Sequence, residues 1–130
     1  MIRIDAHHHL WELARRPQAW LDSPEMAPIR RDFTLTDLAA LAKAAGIDRT
    51  VLVQVLPSLA ETAEFLALAG ESDLIAGAVG WADLTSSAVR ETLSALRSGP
   101  GGARLAGIRH IDACQYQVST GQVTAIHRSE

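Results

Sequence analysis

Residues 50–70, TVLVQVLPSLAETAEFLALAG, decide the fold. Thr50 to Leu56 form an apolar run with one polar interruption, Gln54, which is the pattern of a parallel strand covered on both faces. Pro57 ends the run. Ser58 and Glu61 then stand at the S-x-x-E spacing of a capping box, and Leu59, Ala63 and Leu66 recur on one face up to Gly70, so a helix is predicted. A strand that feeds directly into an amphipathic helix is a βα unit.

The same rhythm extends in both directions. Upstream, TDLAALAKAAG from Thr36 offers Thr36 as N-cap, Leu38, Leu41, Ala42 and Ala45 at helical spacing, and Gly46 as a stop. Ile2 to Ala6 read as a first strand. Between them, Trp11 to Phe33 contains Pro17, Pro24 and Pro28 and reads as an excursion loop rather than one helix. Downstream, Leu74 to Trp81 is a third strand, with Gly77 and Gly80 permitting close backbone approach. Ser86 or Ser87 caps a helix through Leu96 that turns Val89, Leu93 and Leu96 inward. SGPGG at 98–102 is a loop and Leu105 to Arg109 a fourth strand. The expected architecture is α/β, with about four βα units and parallel strands in sequential order. Helices should cover one face and leave the other partly open and apolar.

With 48% hydrophobic and 21% charged residues in 130, the chain can form one core, which excludes disorder as its main state. Twelve Lys and Arg against fifteen Asp and Glu create no positive field, so neither nucleic acid nor an anionic membrane surface is an expected partner. The single cysteine, Cys114, calls for no oxidising compartment, and the cytoplasm is the expected location. No apolar stretch approaches the roughly 18 residues of a membrane span. After His110 the texture changes. IDACQYQVSTGQVTAIHRSE has no capped amphipathic helix, so residues 1–110 are expected to be one unit and 111–130 a divergent tail. Either a longer parent is truncated or frameshifted near this point, or the segment is a polar tail or added edge strand. Its expected course lies across the open face through Val118, Val123 and Ile126, with poor order.

Chemistry concentrates in Asp5-Ala6-His7-His8-His9 at the end of the first strand. Side chains at i and i+2 share a face, so Asp5, His7 and His9 point one way and His8 the other. Two imidazoles on one face can hold one divalent cation, although a catalytic zinc usually takes three protein ligands and a water. Asp5 could accept the other N–H of a histidine. A solvated His-rich turn or a tag remnant is the bland alternative.

The stretch IDAHHHLW resembles the first-strand H-x-H signature of the amidohydrolase superfamily, in the amidohydrolase-2 branch that contains sugar lactonases and pyrone dicarboxylate lactonases. The likeness continues through RRDFTLTDLAALAKAAGIDRTVLVQ, IAGAVGWADL and GIRH, covering about residues 2 to 110. It implies a partial (β/α)8 TIM barrel, its site at the C-terminal ends of the strands. His7 and His9 match the H-x-H pair, as catalytic groups and metal ligands. Gln54, Trp81 and Arg109 match substrate-binding positions at the ends of the second, third and fourth strands. The implied activity is hydrolysis of a small lactone, with a sugar-acid substrate. Zinc or manganese is the implied metal, and in metal-free members the histidines polarise the carbonyl themselves. Such a barrel typically takes about 250 residues. The family's middle-strand histidine and last-strand aspartate have no counterpart here, and neither His110 nor His127 matches them by motif. Two other readings stand beside this one: a non-catalytic half-barrel that self-associates through exposed strand edges, and a simple metal-binding module.

Overall fold

The computed structural model describes residues 1–111 in full and, beyond them, the backbone of 116–119 and 122–125. Strands β1 (Ile4–His8), β2 (Arg49–Val53), β3 (Ile75–Gly80) and β4 (Leu105–Ile108) form one sheet in the order β1-β2-β3-β4, every pair parallel. This is the expected sequential order. Helices α1 (Leu35–Ala45), α2 (Leu59–Glu71) and α3 (Val89–Ser98) make the crossovers. They share one core, in which Leu52, Ile75 and Ala78 of the sheet meet Phe65, Leu66 and Ala69 of α2, with Leu38 and Leu96 packed against them. On the other face Val51 and Val79, whose partners across the β2–β3 ladder are Gly77 and Val53, remain half-buried.

Local chemistry moves several boundaries from their expected places. β1 begins at Ile4 rather than Ile2 and runs into the histidines, because pairing with β2 starts at Ile4 and Arg49 while Ile2 stays 70% exposed. The N-cap of α1 is Thr34, not Thr36. The Thr34 hydroxyl accepts the Asp37 amide at 3.4 Å and the Asp37 carboxylate accepts the Thr34 amide at 2.9 Å, a complete capping box. Gly46 closes that helix in the left-handed region, φ 67°. α3 starts at Val89, after the Ser86 hydroxyl has taken the Ala88 amide in a turn of its own. β2 stops at Val53 rather than Leu56, since the Val55 and Leu56 amides turn away to the Glu61 carboxylate.

The excursion from Trp11 to Phe33 is a closed loop. Trp11 and Phe33 exchange backbone hydrogen bonds at 3.1 and 2.9 Å, and two 3₁₀ turns, Ala19–Leu21 and Pro24–Ile29, lie within. Trp11 packs on both Trp20 and Phe33, the Arg31 guanidinium covers the Phe33 ring, and Leu21, 1% exposed, anchors the loop. Residues Tyr116–Ser119 (β5) and Gln122–Ala125 (β6) pair antiparallel as a separate two-stranded sheet. The side chains of Val118 and Val123, and all of Cys114, Ile126 and His127, lie outside the described residues. No helix among the described residues is long and apolar enough to cross a membrane.

Candidate active site

Parallel strands in sequential order end at a common edge. The first residue beyond each strand is a candidate: His9 after β1, Gln54 after β2, Trp81 after β3 and Arg109 after β4. The ladder reaches these positions, with the Gln54 amide donating to the Val79 carbonyl and the Arg109 amide to the Gly80 carbonyl, each at 2.8 Å. The ladder therefore includes the backbone of Gln54 and Arg109.

His7 and His9 converge. Their Nε2 atoms stand 3.1 Å apart, with ring centroids 4.9 Å apart and planes at 75°. His9 Nδ1 lies 2.9 Å from the Val53 carbonyl, which can only accept, so Nδ1 carries the hydrogen and Nε2 the lone pair. Burial holds His9 below the ordinary imidazole pKa, partly opposed by the Val53 carbonyl. His8 points elsewhere, its Nε2 2.9 Å from the Thr50 hydroxyl, and burial lowers its pKa too. Asp5 orients no imidazole; its Oδ1 accepts the backbone N–H of His7 at 3.1 Å, a local turn contact.

This donor pair fits a divalent cation as two of its ligands. Two nitrogens, each about 2.0–2.1 Å from one zinc ion in roughly tetrahedral disposition, stand a little over 3 Å apart. A metal-bound histidine usually gives its other ring N–H to a carbonyl or carboxylate, as His9 gives its own to Val53. Among the described residues no group of three or more His, Cys, Asp or Glu forms around them.

The Arg109 guanidinium crosses the edge to β2. Its Nη2 donates to the Gln54 carbonyl at 3.0 Å and approaches Gln54 Oε1 at 3.4 Å. Its charge reaches His9, where it adds to the lowering of the imidazole pKa. Gln54 is fully buried beside the guanidinium. Arg109 Nε and Gln54 Nε2 are buried donors without an acceptor among the described residues. Trp81 stands further along the edge, its indole N–H donating to the Ile111 carbonyl at 3.2 Å and its ring stacked on His110, centroids 6.2 Å apart. Thus the structure brings His7, His9, Gln54 and Arg109 together and sets Trp81 beside His110.

Two buried polar residues behind this edge escape sequence reasoning. Glu61 reads as a capping-box partner, and Ser58 does accept the Glu61 amide at 3.3 Å. The Glu61 carboxylate does not return to Ser58. Its Oε1 accepts the Val55 and Leu56 amides at 2.7 and 2.9 Å. Thr62 carries no sequence signal at all, yet its hydroxyl holds the backbone of Trp81.

Comparison with known proteins follows the same lines. The amidohydrolase (amidohydrolase-2) family profile matches residues 4–123. An L-fucono-1,5-lactonase of Burkholderia ambifaria is 37% identical over 107 residues, covering 82% of this chain and 36% of the relative. One from Burkholderia multivorans is 32% identical over 109 residues, covering 84% and 35%. The chain thus spans little more than a third of the length of these curated relatives. Two crystal structures of an amidohydrolase from Burkholderia multivorans superpose on 85% of this chain and 37% of their own. One, with bound HEPES, gives a TM-score of 0.74 at 31% identity; the other, with bound zinc, 0.72 at 33%. With its four parallel strands in sequential order, alternating with helices as part of an α/β barrel, and its histidine pair at the strand ends, the chain belongs to the amidohydrolase-2 family.

Proposed function

We propose that this chain carries the histidine side of a lactone-hydrolysing site whose substrate is a small sugar-acid lactone. The observation that carries the reading is the convergence of His7 and His9 Nε2, 3.1 Å apart, on the strand edge that also presents Arg109. The relatives' names, L-fucono-1,5-lactonases, supply the substrate class. In the reaction water adds to the ester carbonyl carbon, the ring C–O bond breaks, and a proton passes to the departing oxygen to leave an open hydroxy acid. His9 Nε2 is unprotonated and His7, whose ring is exposed, donates its Nε2–H to it at 3.1 Å, so the pair offers one N–H that can turn to the carbonyl oxygen and one basic nitrogen. Arg109, held by Gln54, has donors for hydroxyl or carboxylate oxygens of the sugar acid. His7 and His9 are also the residues that would hold a zinc or manganese ion, which when bound supplies Lewis acidity at the carbonyl.

The test is hydrolysis of a sugar-acid 1,5-lactone by this chain, with and without added zinc or manganese. Turnover that falls at least about a hundredfold on His9→Ala agrees with the usual size of acid–base contributions. A rate indistinguishable from that of the His7→Ala/His9→Ala variant overturns the proposal.

A second reading rests on the outer edge of β1, where Ile4 is 55% exposed and Ile2, just before the strand, 70%. An apolar strand edge is a template for pairing with another copy. Light scattering reads this directly: a dimer dispersed by Ile4→Lys supports it, and a monomer at all concentrations excludes it.

A further inference from the structure

We infer that Glu61 and Thr62, adjacent in the first turn of α2, are positioning residues for the strand edge, fixing the backbone behind Gln54 and Trp81. The inference deepens the proposed function, since Gln54 in turn bears Arg109. Glu61 is 2% exposed and Thr62 fully buried. A buried carboxylate is costly unless hydrogen bonds satisfy it, so its partners show what it is held for. Those partners are the amides of Val55 and Leu56, the two residues that follow Gln54. The helix cap does without the Glu61 side chain, because the Ser58 amide donates to the Leu56 carbonyl at 2.8 Å instead.

Thr62 does for β3 what Glu61 does for β2. Its Oγ1 accepts the Trp81 amide at 2.8 Å and stands 2.9 Å from the Trp81 carbonyl and 3.2 Å from the Ser58 carbonyl, its single proton serving one of them. The approach depends on Gly80, where any Cβ would run into Thr62 Cγ2. One helical turn thus grips the chain where it leaves two neighbouring strands. Through the Gln54 carbonyl, which accepts from Arg109 Nη2 at 3.0 Å, the grip reaches the guanidinium.

A residue that merely caps α2 would affect the whole helix, whereas a positioning residue moves the strand edge selectively. Amide hydrogen exchange separates the two in Thr62→Val, Thr62→Ser and Glu61→Leu, read beside the kinetics of sugar-lactone hydrolysis. Thr62→Val should speed exchange of the Trp81 amide at least about tenfold, as expected when a buried N–H loses its acceptor. Thr62→Ser should restore it. Glu61→Leu, which removes the acceptor, should loosen Val55 and Leu56 but not Trp81, while the amides of Phe65 to Ala69 keep their protection in every variant. In kinetics, KM should rise several-fold with kcat less affected. Trp81, Val55 and Leu56 as protected as in the parent, or exchange raised uniformly along α2, would overturn the inference. Absence of lactone turnover in all forms, parent included, would defeat the proposed function and leave the exchange data to decide the role of these two residues.

Discussion

Gly80→Ala places a new methyl directly against a buried side chain of α2. A Cβ at Gly80 would lie far inside van der Waals contact with Thr62 Cγ2, and 3.0 and 3.1 Å from Thr62 Oγ1 and Cβ. Thr62 cannot swing away freely. It is β-branched, fully buried and hydrogen-bonded to Trp81. Overpacking of this kind costs about 1–3 kcal/mol. Displacing Thr62 leaves the Trp81 amide unpaired, at about 1–3 kcal/mol more. Against this stands a gain of about 0.4–1 kcal/mol from a stiffer unfolded chain. The net loss is about 1–6 kcal/mol, which at a urea m-value of about 2 kcal/mol/M moves the unfolding midpoint down by about 0.5–3 M. Gly107→Ala in β4 is the matched control, because a Cβ there meets only Val79 Cγ2 at 4.0 Å. It should leave the midpoint unchanged or raise it slightly. Equal midpoints for the two variants would refute the close packing between β3 and α2 on which the strand edge depends.

Removing the capping hydroxyl with Thr34→Ala should cost about 1 kcal/mol in urea unfolding, whereas Thr36→Ala should cost much less, because the cap is Thr34. Burial lowers the folded pKa of His8 and His9 below the ordinary 6.5, so the unfolded chain takes up those protons first. Their contribution to stability is complete above pH 6.5 and is lost as pH falls from there through the folded values, a slope that His8→Asn should reduce in unfolding measured between pH 5 and 7.5. Glu61 has the opposite sign. Burial raises its pKa above the ordinary 4.5, so its contribution is complete below that and is lost as pH rises through the raised value. The stability of the parent relative to Glu61→Gln should therefore decline with rising pH, and a flat difference would count against a buried, strained carboxylate.

Much of this was legible because the physics is local. The strand at 50–53 and the helix after Ser58 follow from one apolar run, one proline and one period of 3.6, and the sequential sheet order follows from right-handed crossovers between neighbours. The common face of His7 and His9 follows from the two-residue period of a strand. What the sequence hides is the choice between equivalent local partners. Thr34 and Thr36 are both good caps, and only the Asp37 side chain, which reaches back to the Thr34 amide, decides between them. Glu61 sits at capping-box spacing but bonds to the loop behind it, an alternative visible only once β2 and α2 are packed. Asp5 shows the same limit, since a neighbouring backbone amide takes a carboxylate that spacing offers to a histidine.

The most direct test is a long-range ¹H–¹⁵N spectrum of the imidazoles during titration with zinc. His9 should be in the Nδ1–H tautomer before zinc is added, because the Val53 carbonyl holds that proton. The Nε2 resonances of His7 and His9 should move together as one equivalent binds, while His8, turned to Thr50, does not join them. Protonation of His9 at Nε2 in the free protein, or a zinc response centred on His8 or shared by neither His7 nor His9, would contradict a site built on His7 and His9.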